Sequence, residues 1–484
     1  MKKSPSASLG QNAIYKGILN AFNLLVPLFV GPYIAGLLSP ELYGIYNRVY
    51  AEFNVFFVIG SFGIYNYGIR EISKVRQDPV KFSQIFSSLF VIGVIANCVV
   101  TVFYIIYFSV RSTGIDFYVY AVMIIQMASN VFYIEFINEA TENYRFITIK
   151  TIIIRFLYFI SIFAFVRRPT DVIIYSIVVS MTAFLNNFVS FTYIKRNVKF
   201  SFKSLQLKPH ILPLIVTLLL ANVEMLYGQL DKLLLSPFVS DIAVTEYTLP
   251  STLVGMLCTL PLSLVTVAIP RLSYYIGNHD KDSYENTLHR TIHTYMAIVI
   301  PISIGILVLA KEIMWIYTKD VYTYVYPVLI VTALARIPFA YQSLISNLVM
   351  YINNCERQLT SFLLIFGLAN VAFDFLLIWL QIFSPLTAMC TTAIAVSLFD
   401  IITTRYANKH LHIHCNFFSR QIIGYFFISF LFIPISFIVH AFPIGTIGHI
   451  AFTIILCVCL YGAYLLYRRD PILDIIFKKL KKGS

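Results

Sequence analysis

Apolar residues run through this chain in long blocks, not in alternating or heptad patterns, and the polar residues gather in short stretches between the blocks. A helix needs about 20 residues to cross a ~30 Å hydrocarbon core. Blocks of that length fall at 14–38, 43–67, 84–109, 117–138, 149–166, 172–194, 211–236, 248–270, 291–317, 324–350, 361–381, 385–404, 421–440 and 448–467. The pattern predicts an all-α polytopic membrane protein with about fourteen transmembrane helices. An even number of spans puts both termini on one side.

Composition agrees with that class. Hydrophobic residues make up 58% of the chain and charged ones only 12%, against about 25% charged in soluble domains. Mean hydropathy is +0.78. The net charge of +13 is high, but in such a chain a basic excess first reflects the positive-inside rule and not nucleic acid. With the N-terminus in the cytoplasm, the inner loops take most of the lysine and arginine, including Arg70, Lys74, Arg76 and Lys81 in one loop and Lys195, Arg196, Lys199, Lys203 and Lys208 in another. The outer loops hold Arg111, Arg167, Arg168, Lys311 and Lys319 and are too short for a catalytic domain. Cytoplasmic termini are expected. The seven cysteines lack paired spacing and predict no disulfide framework. The polar start and the long first apolar block give no signal-peptide pattern.

Four basic residues that are not assigned to the inner or outer loops fall inside predicted helices: Arg48, Arg155, Lys232 and Arg336. A charge at bilayer depth costs roughly 2.5–3.5 kcal/mol or more, so it faces a partner or a watery cavity. Acidic residues accompany them. Glu52 lies one turn from Arg48, Glu224 and Asp231 share a helical face beside Lys232, and Asp374 lies on the eleventh block. Two explanations stand. These are ion pairs that fix packing, such as Arg48 with Glu52, with Arg155 snorkelling to the cytoplasm; or the cations line a cavity that receives an anion.

The two halves look related. Glu41 and Tyr43 open the second helix as Glu246-Tyr247 opens the eighth, and Gly68-Ile-Arg-Glu-Ile-Ser is echoed by Ile269-Pro-Arg-Leu-Ser. Phe136-Ile-Asn followed by Glu142 is echoed by Tyr351-Ile-Asn followed by Glu356. The offset corresponds to six helices, so the repeat is parallel. It predicts two pseudo-symmetric six-helix bundles, 1–208 and 209–419, around a central cavity that opens alternately to each side. Residues 420–484 are left as two peripheral helices and a basic tail.

Asn12-Ala-Ile-Tyr15, Pro27, Gly31-Pro-Tyr-Ile, Glu41-Leu-Tyr-Gly-Ile-Tyr and Gly68-Ile-Arg-Glu-Ile-Ser-Lys-Val-Arg resemble the N-terminal signature of Wzx-type polysaccharide flippases. These belong to the multidrug/oligosaccharidyl-lipid/polysaccharide exporter superfamily. The likeness continues through Glu142-Asn-Tyr-Arg-Phe-Ile-Thr-Ile-Lys, Leu230-Asp-Lys-Leu-Leu-Leu, Ile269-Pro-Arg-Leu-Ser and the Glu356-Arg-Gln loop, and thins over the last two helices. The resemblance implies no enzyme and no cofactor. It implies a flippase of the bacterial plasma membrane that moves an undecaprenyl-diphosphate-linked oligosaccharide to the outer leaflet for capsule or O-antigen synthesis. The implied partners are that substrate, membrane lipids, and the polymerase and glycosyltransferases of its pathway.

The residue chemistry suits such a substrate. Arginine presents a forked donor to diphosphate oxygens. Asn and Gln at helix positions such as Gln126, Asn130, Gln342 and Asn347, with some of the 33 tyrosines, suit sugars. Arg48, Arg336, Lys232 and Arg155 are the expected substrate-binding residues. An outward-moving anion of about two charges gains roughly 4–5 kcal/mol per 100 mV of inside-negative potential. Glu52, Glu224, Asp231 and Asp374 are candidates for added proton or sodium coupling. No metal site is expected; His410-Leu-His-Ile-His-Cys415 has ligand types but no second cluster. Arg468 to Lys482 reads as an amphipathic helix on the inner leaflet, and no Walker loop points to ATP. A teichoic-acid or peptidoglycan-precursor flippase remains an alternative. A drug/cation antiporter and a non-transporting scaffold fit the buried cations less well.

Overall fold

A computed structural model describes residues 9–75, 77–198, 200–201, 205–222, 225, 227–413 and 419–470. The described residues form helices and no strands. Hydrocarbon offers no hydrogen bonds, so each crossing segment must satisfy its own backbone, and a helix does so.

The chain divides into two compact units: residues 1–223 with 240–245, and residues 224–239 with 246–484. The first contains α1 (Leu9–Ala35), α2 (Pro40–Ser61), α3 (Ile64–Lys74), α4 (Pro79–Arg111), α5 (Ile115–Ser129), α6 (Glu135–Ala140), α7 (Tyr144–Phe165), α8 (Val172–Asn197) and α9 (Lys208–Asn222). Within it α5 packs on α8, α1 on α7 and α2 on α4. The second contains α10 (Gly228–Phe238), most of α11 (Asp241–Gly277), α12 (Lys281–Val308), α13 (Ala310–Thr318), α14 (Tyr326–Leu344), α15 (Glu356–Trp379), α16 (Pro385–Tyr406), α17 (Arg420–Phe430), α18 (Phe432–His440) and α19 (Gly445–Arg468). There α14 packs between α12 and α16, and α15 and α10 pack on α16.

Among the described residues eleven helices are long and apolar enough to cross a membrane, against the fourteen spans expected. The other three segments are helical but interrupted or atypical. Segment 43–67 carries Arg48 and Glu52 and breaks at Phe62 and Gly63, both left-handed at φ 52° and 70°. Gly63 is required there twice over, by its φ and because a Cβ would sit 2.8 Å from the Leu214 carbonyl oxygen of α9. Segment 211–236 breaks between Asn222 and Gly228, and 248–270 lies inside the 37-residue α11 with three internal prolines.

The internal repeat is visible in the backbone. In the first unit Glu142 is left-handed at φ 56°, the Asn143 N–H donates to the Asn138 carbonyl and α7 follows. In the second unit Asn354 is left-handed at φ 57°, the Cys355 N–H donates to the Met350 carbonyl and α15 follows. Both are helix-terminating turns of the Schellman kind. They fall at the positions where the sequence echoes itself.

The basic segment after α2 holds an exposed charge cluster. Burial pushes the Glu71 carboxyl up, but Lys74 Nζ at 2.8 Å and Arg70 Nε at 3.1 Å outweigh it and hold the group below the usual carboxylate range.

Candidate functional site

In the first unit Arg48 does not pair with Glu52. Its Nη2 lies 3.2 Å from Asp116 Oδ2 and its Nε 3.0 Å from Asp241 Oδ1. Asp116 and Asp241 occupy the first turns of α5 and α11, where the helix dipole already favours an anion. Arg48 stands just over two turns into α2 and bridges the two helix starts. Glu52, buried one turn on, accepts hydrogen bonds from the Tyr107 hydroxyl at 2.8 Å and from the Tyr120 hydroxyl, with Arg111 3.7 Å away. Arg155 is half-buried on α7 in electrostatic range of Tyr50 and Tyr158, and makes no ion pair among the described residues.

A further charge in this unit was not expected from the sequence. Lys150 is fully buried; its Nζ lies 3.0 Å from Glu135 Oε2 and donates at 2.7 Å to Ser190 Oγ, which itself donates to the same carboxylate oxygen. Lys150 sits near the start of a predicted span, where it cannot be told from a lysine reaching for the interface. The weak signal available was Glu135 inside the preceding apolar block.

The second unit treats its carboxylates differently. Asp231, on α10, is fully buried and accepts from the Tyr247 hydroxyl at 2.6 Å, the Thr392 hydroxyl at 2.6 Å and Asn370 Nδ2 at 2.9 Å. Asp374, also fully buried, accepts from the Thr391 hydroxyl at 2.7 Å. The two carboxyl groups lie beside each other. Every partner is neutral, and two acceptor oxygens in the cluster, Asp374 Oδ2 and Asn370 Oδ1, are buried without a donor among the described residues. Ionised carboxylates only accept and repel each other, so this arrangement calls for a shared proton or a hard cation between the oxygens. Lys232, next in sequence, is half-buried and makes no ion pair among the described residues. The tenth block of the chain supplies Arg336, on α14, whose guanidinium lies against Tyr295 and Cys258. Its Nε and the Tyr295 hydroxyl are both buried without an acceptor among the described residues. A guanidinium with an unfilled N–H and a hydroxyl beside it is the complement of an anion.

Glu224 lies outside the described residues, as do His414 and Cys415 of the His/Cys run and the tail beyond Asp470.

These features define an all-helical polytopic membrane fold with charged groups buried inside it. The model of the polysaccharide biosynthesis protein family matches residues 9–276, more than half the chain, and the chain belongs to that family. The MatE family model matches residues 213–376. A curated relative, the putative O-antigen transporter of Escherichia coli (strain K12), is 23% identical over 172 residues, which is 34% of this chain and only 40% of that protein's length. Among solved structures the chain resembles the lipid II flippase MurJ in an inward closed conformation, with TM-score 0.73 and 15% identity over 96% of this chain and 99% of that one. It also resembles an inward-facing multidrug resistance MATE family transporter, with TM-score 0.63 and 11% identity over 83% and 98% of the two chains. These relatives are transporters or flippases, not enzymes.

Proposed function

We propose that the protein flips undecaprenyl-diphosphate-linked oligosaccharide repeat units from the inner to the outer leaflet of the bacterial plasma membrane, by alternating access of its two units and with both termini in the cytoplasm. The observation that carries this reading is Arg336 with Tyr295: a guanidinium in the second unit whose buried Nε lacks an acceptor among the described residues, beside a buried hydroxyl. An unpaired buried donor costs about 1–3 kcal/mol, more when charged. A diphosphate bound there supplies the missing acceptors and uses the guanidinium fork. Lys232 adds a second unpaired cation, Arg155 a third, and Arg48 joins them if substrate draws it away from Asp116 and Asp241. Membership of the polysaccharide biosynthesis family supports a glycan cargo.

Transport is coupled to a cation at Asp231 and Asp374. Asn370, Thr391 and Thr392 supply further oxygens, and sodium or a proton relieves the paired carboxylates. The cation moves inward as the anionic substrate moves outward, and the potential contributes about 2.3 kcal/mol per elementary charge per 100 mV to each.

The test is reconstitution in proteoliposomes with a fluorescent undecaprenyl-diphosphate oligosaccharide, with lipid II as the comparison cargo. The wild-type chain flips the oligosaccharide cargo and Arg336→Glu reduces flipping at least about tenfold without loss of folded protein, as expected for removal of a charged hydrogen bond. Equal flipping by Arg336→Glu overturns the anion site. Transport of lipid II alone reassigns the cargo.

A further inference from the structure

The first unit holds an open cavity of about 380 Å³ that none of the buried cations lines. Its volume lies within the roughly 300–1,000 Å³ of ligand pockets, and its chemistry differs from that of the charged sites. Ser61, Tyr65, Asn66, Tyr133, Asn186 and Asn222 line it. The left-handed break at Phe62 and Gly63 makes it possible: it ends α2 at Ser61 and restarts the chain as α3, so Ser61 and Tyr65 reach the same space. Tyr65 and Tyr133 stack with ring centroids 5.8 Å apart and an interplanar angle of 19°. The Tyr65 hydroxyl is spent on Glu139 Oε1 at 2.5 Å, which fixes the ring and puts a carboxylate against a lining residue.

The amides are held by one end only. Asn222 Nδ2 donates to the Leu218 carbonyl at 2.8 Å, and Asn186 Nδ2 leans on Asn187 Oδ1 at 3.4 Å; their own Oδ1 atoms accept nothing among the described residues. Asn187 is anchored in turn by donation to Ser129 Oγ at 3.1 Å. Asn66 and the Tyr133 hydroxyl have no hydrogen-bond partner among the described residues. The wall therefore offers both donors and acceptors, uncharged, beside two ring faces. A sugar presents that combination in reverse: hydroxyls that donate and accept at once, and an apolar C–H face that packs on an aromatic ring. A diphosphate or an acidic sugar finds no cation in the lining, and a carboxylate, Glu139, is bonded to the lining residue Tyr65.

We infer that this cavity is a subsite for a neutral saccharide residue of the cargo, separate from the groups that take the diphosphate. The inference deepens the flippase reading and rests on it for the identity of the cargo. Subsite occupancy then selects cargo by its sugars, whereas the cations recognise the lipid diphosphate common to all such cargoes.

The test uses the full chain in detergent and saturation-transfer NMR with four free probes: glucose, galactose, N-acetylglucosamine and glucuronate. At least one neutral sugar receives saturation, glucuronate receives none, and Asn186→Leu and Tyr133→Leu each lower the neutral signal about tenfold, the scale of a lost hydrogen-bonded contact. Tyr133→Phe, which keeps the ring, lowers it less. Thermal unfolding of the full chain in the same detergent checks that the variants fold. Absence of signal from every neutral sugar, or a signal unchanged in folded Asn186→Leu and Tyr133→Leu, overturns the subsite. The two readings fail separately. Flipping without a sugar signal removes the subsite and keeps the flippase, whereas a pocket-dependent sugar signal without flipping keeps the subsite and removes the flippase.

Discussion

The two units bury carboxylates in opposite ways. In the first, four acids have a cation: Glu135 has Lys150, Glu52 has Arg111, and Asp116 and Asp241 share Arg48. In the second, Asp231 and Asp374 lie side by side and take hydrogen bonds from hydroxyls and an amide, while Arg336 on α14 keeps its Nε unfilled among the described residues. Resident ion pairs neutralise those acids whatever the unit binds. In the proposed function the second unit is completed by mobile charges, a cation at the acids and an anion at the arginine. That proposal assigns fixed architecture to one set of charges and exchange to the other.

The largest effect that sharpens this contrast is at Lys150. Its removal leaves Glu135 ionised and unpaired in the interior, so Lys150→Ala destabilises by about 3–5 kcal/mol. Replacing both partners, Lys150→Met with Glu135→Leu, restores most of that loss, because a well-packed apolar pair is often as stable as a buried ion pair. Thermal unfolding in a fixed detergent measures both. A double variant as unstable as the single one breaks the view that this pair is architecture.

The matching experiment in the second unit is Asp231→Asn. Thermal stability of the wild type rises with sodium, or with falling pH if the cation is a proton. Saturation at 100 times the dissociation constant gives about 2.7 kcal/mol. Asp231→Asn loses that dependence along with coupled flipping, and Asp374→Asn does the same. A sodium and pH response that survives both substitutions removes the exchange role.

Much of this contrast was beyond the reach of the sequence, for physical reasons. Hydrophobic blocks report which segments are helical and apolar, so the membrane class, the helices and the parallel echo of the halves were legible. Asp231 and Asp374 also stood out, as charges in apolar surroundings. Their partners did not, because Asn370 and Thr392 are 139 and 161 positions from Asp231 and look like ordinary polar residues of other helices. Arg48 and Glu52 sit one turn apart and invite pairing. The structure separates them because two helix starts bring aspartates to Arg48, while Tyr107 and Tyr120 claim Glu52. The break at Phe62 and Gly63 depends on the backbone of α9, and no local signal encodes that approach.

Arg48 tests the comparison at intermediate scale. Its side chain is 13% exposed, and Arg48→Met leaves Asp116 and Asp241 at 18% and 30% exposure facing each other without their shared cation. Partial solvation limits the loss to about 1–2 kcal/mol. Adding Asp116→Asn recovers part of it. If Arg48→Met unfolds at the wild-type temperature but no longer flips cargo, then Arg48 is a ligand and not a brace, and the contrast between the units narrows.

The smallest effect discriminates most sharply, because the same lesion can be placed in both units. Ser39 caps α2, which carries Arg48 and Glu52, and Ser384 caps α16 in a reciprocal capping box with Thr387, seven or so residues before Thr391 and Thr392. Loss of either cap to alanine costs about 1 kcal/mol. The stability losses are therefore alike. Only Ser384→Ala also weakens the ion response, a few-fold in apparent sodium or proton affinity, because α16 delivers two oxygens to the acid pair. Ser39→Ala leaves that response unchanged, since its helix holds charges already paired. Equal shifts in both variants would mean that cap loss acts through general loosening, and that the acid pair is no more an exchange site than the ion pairs of the first unit.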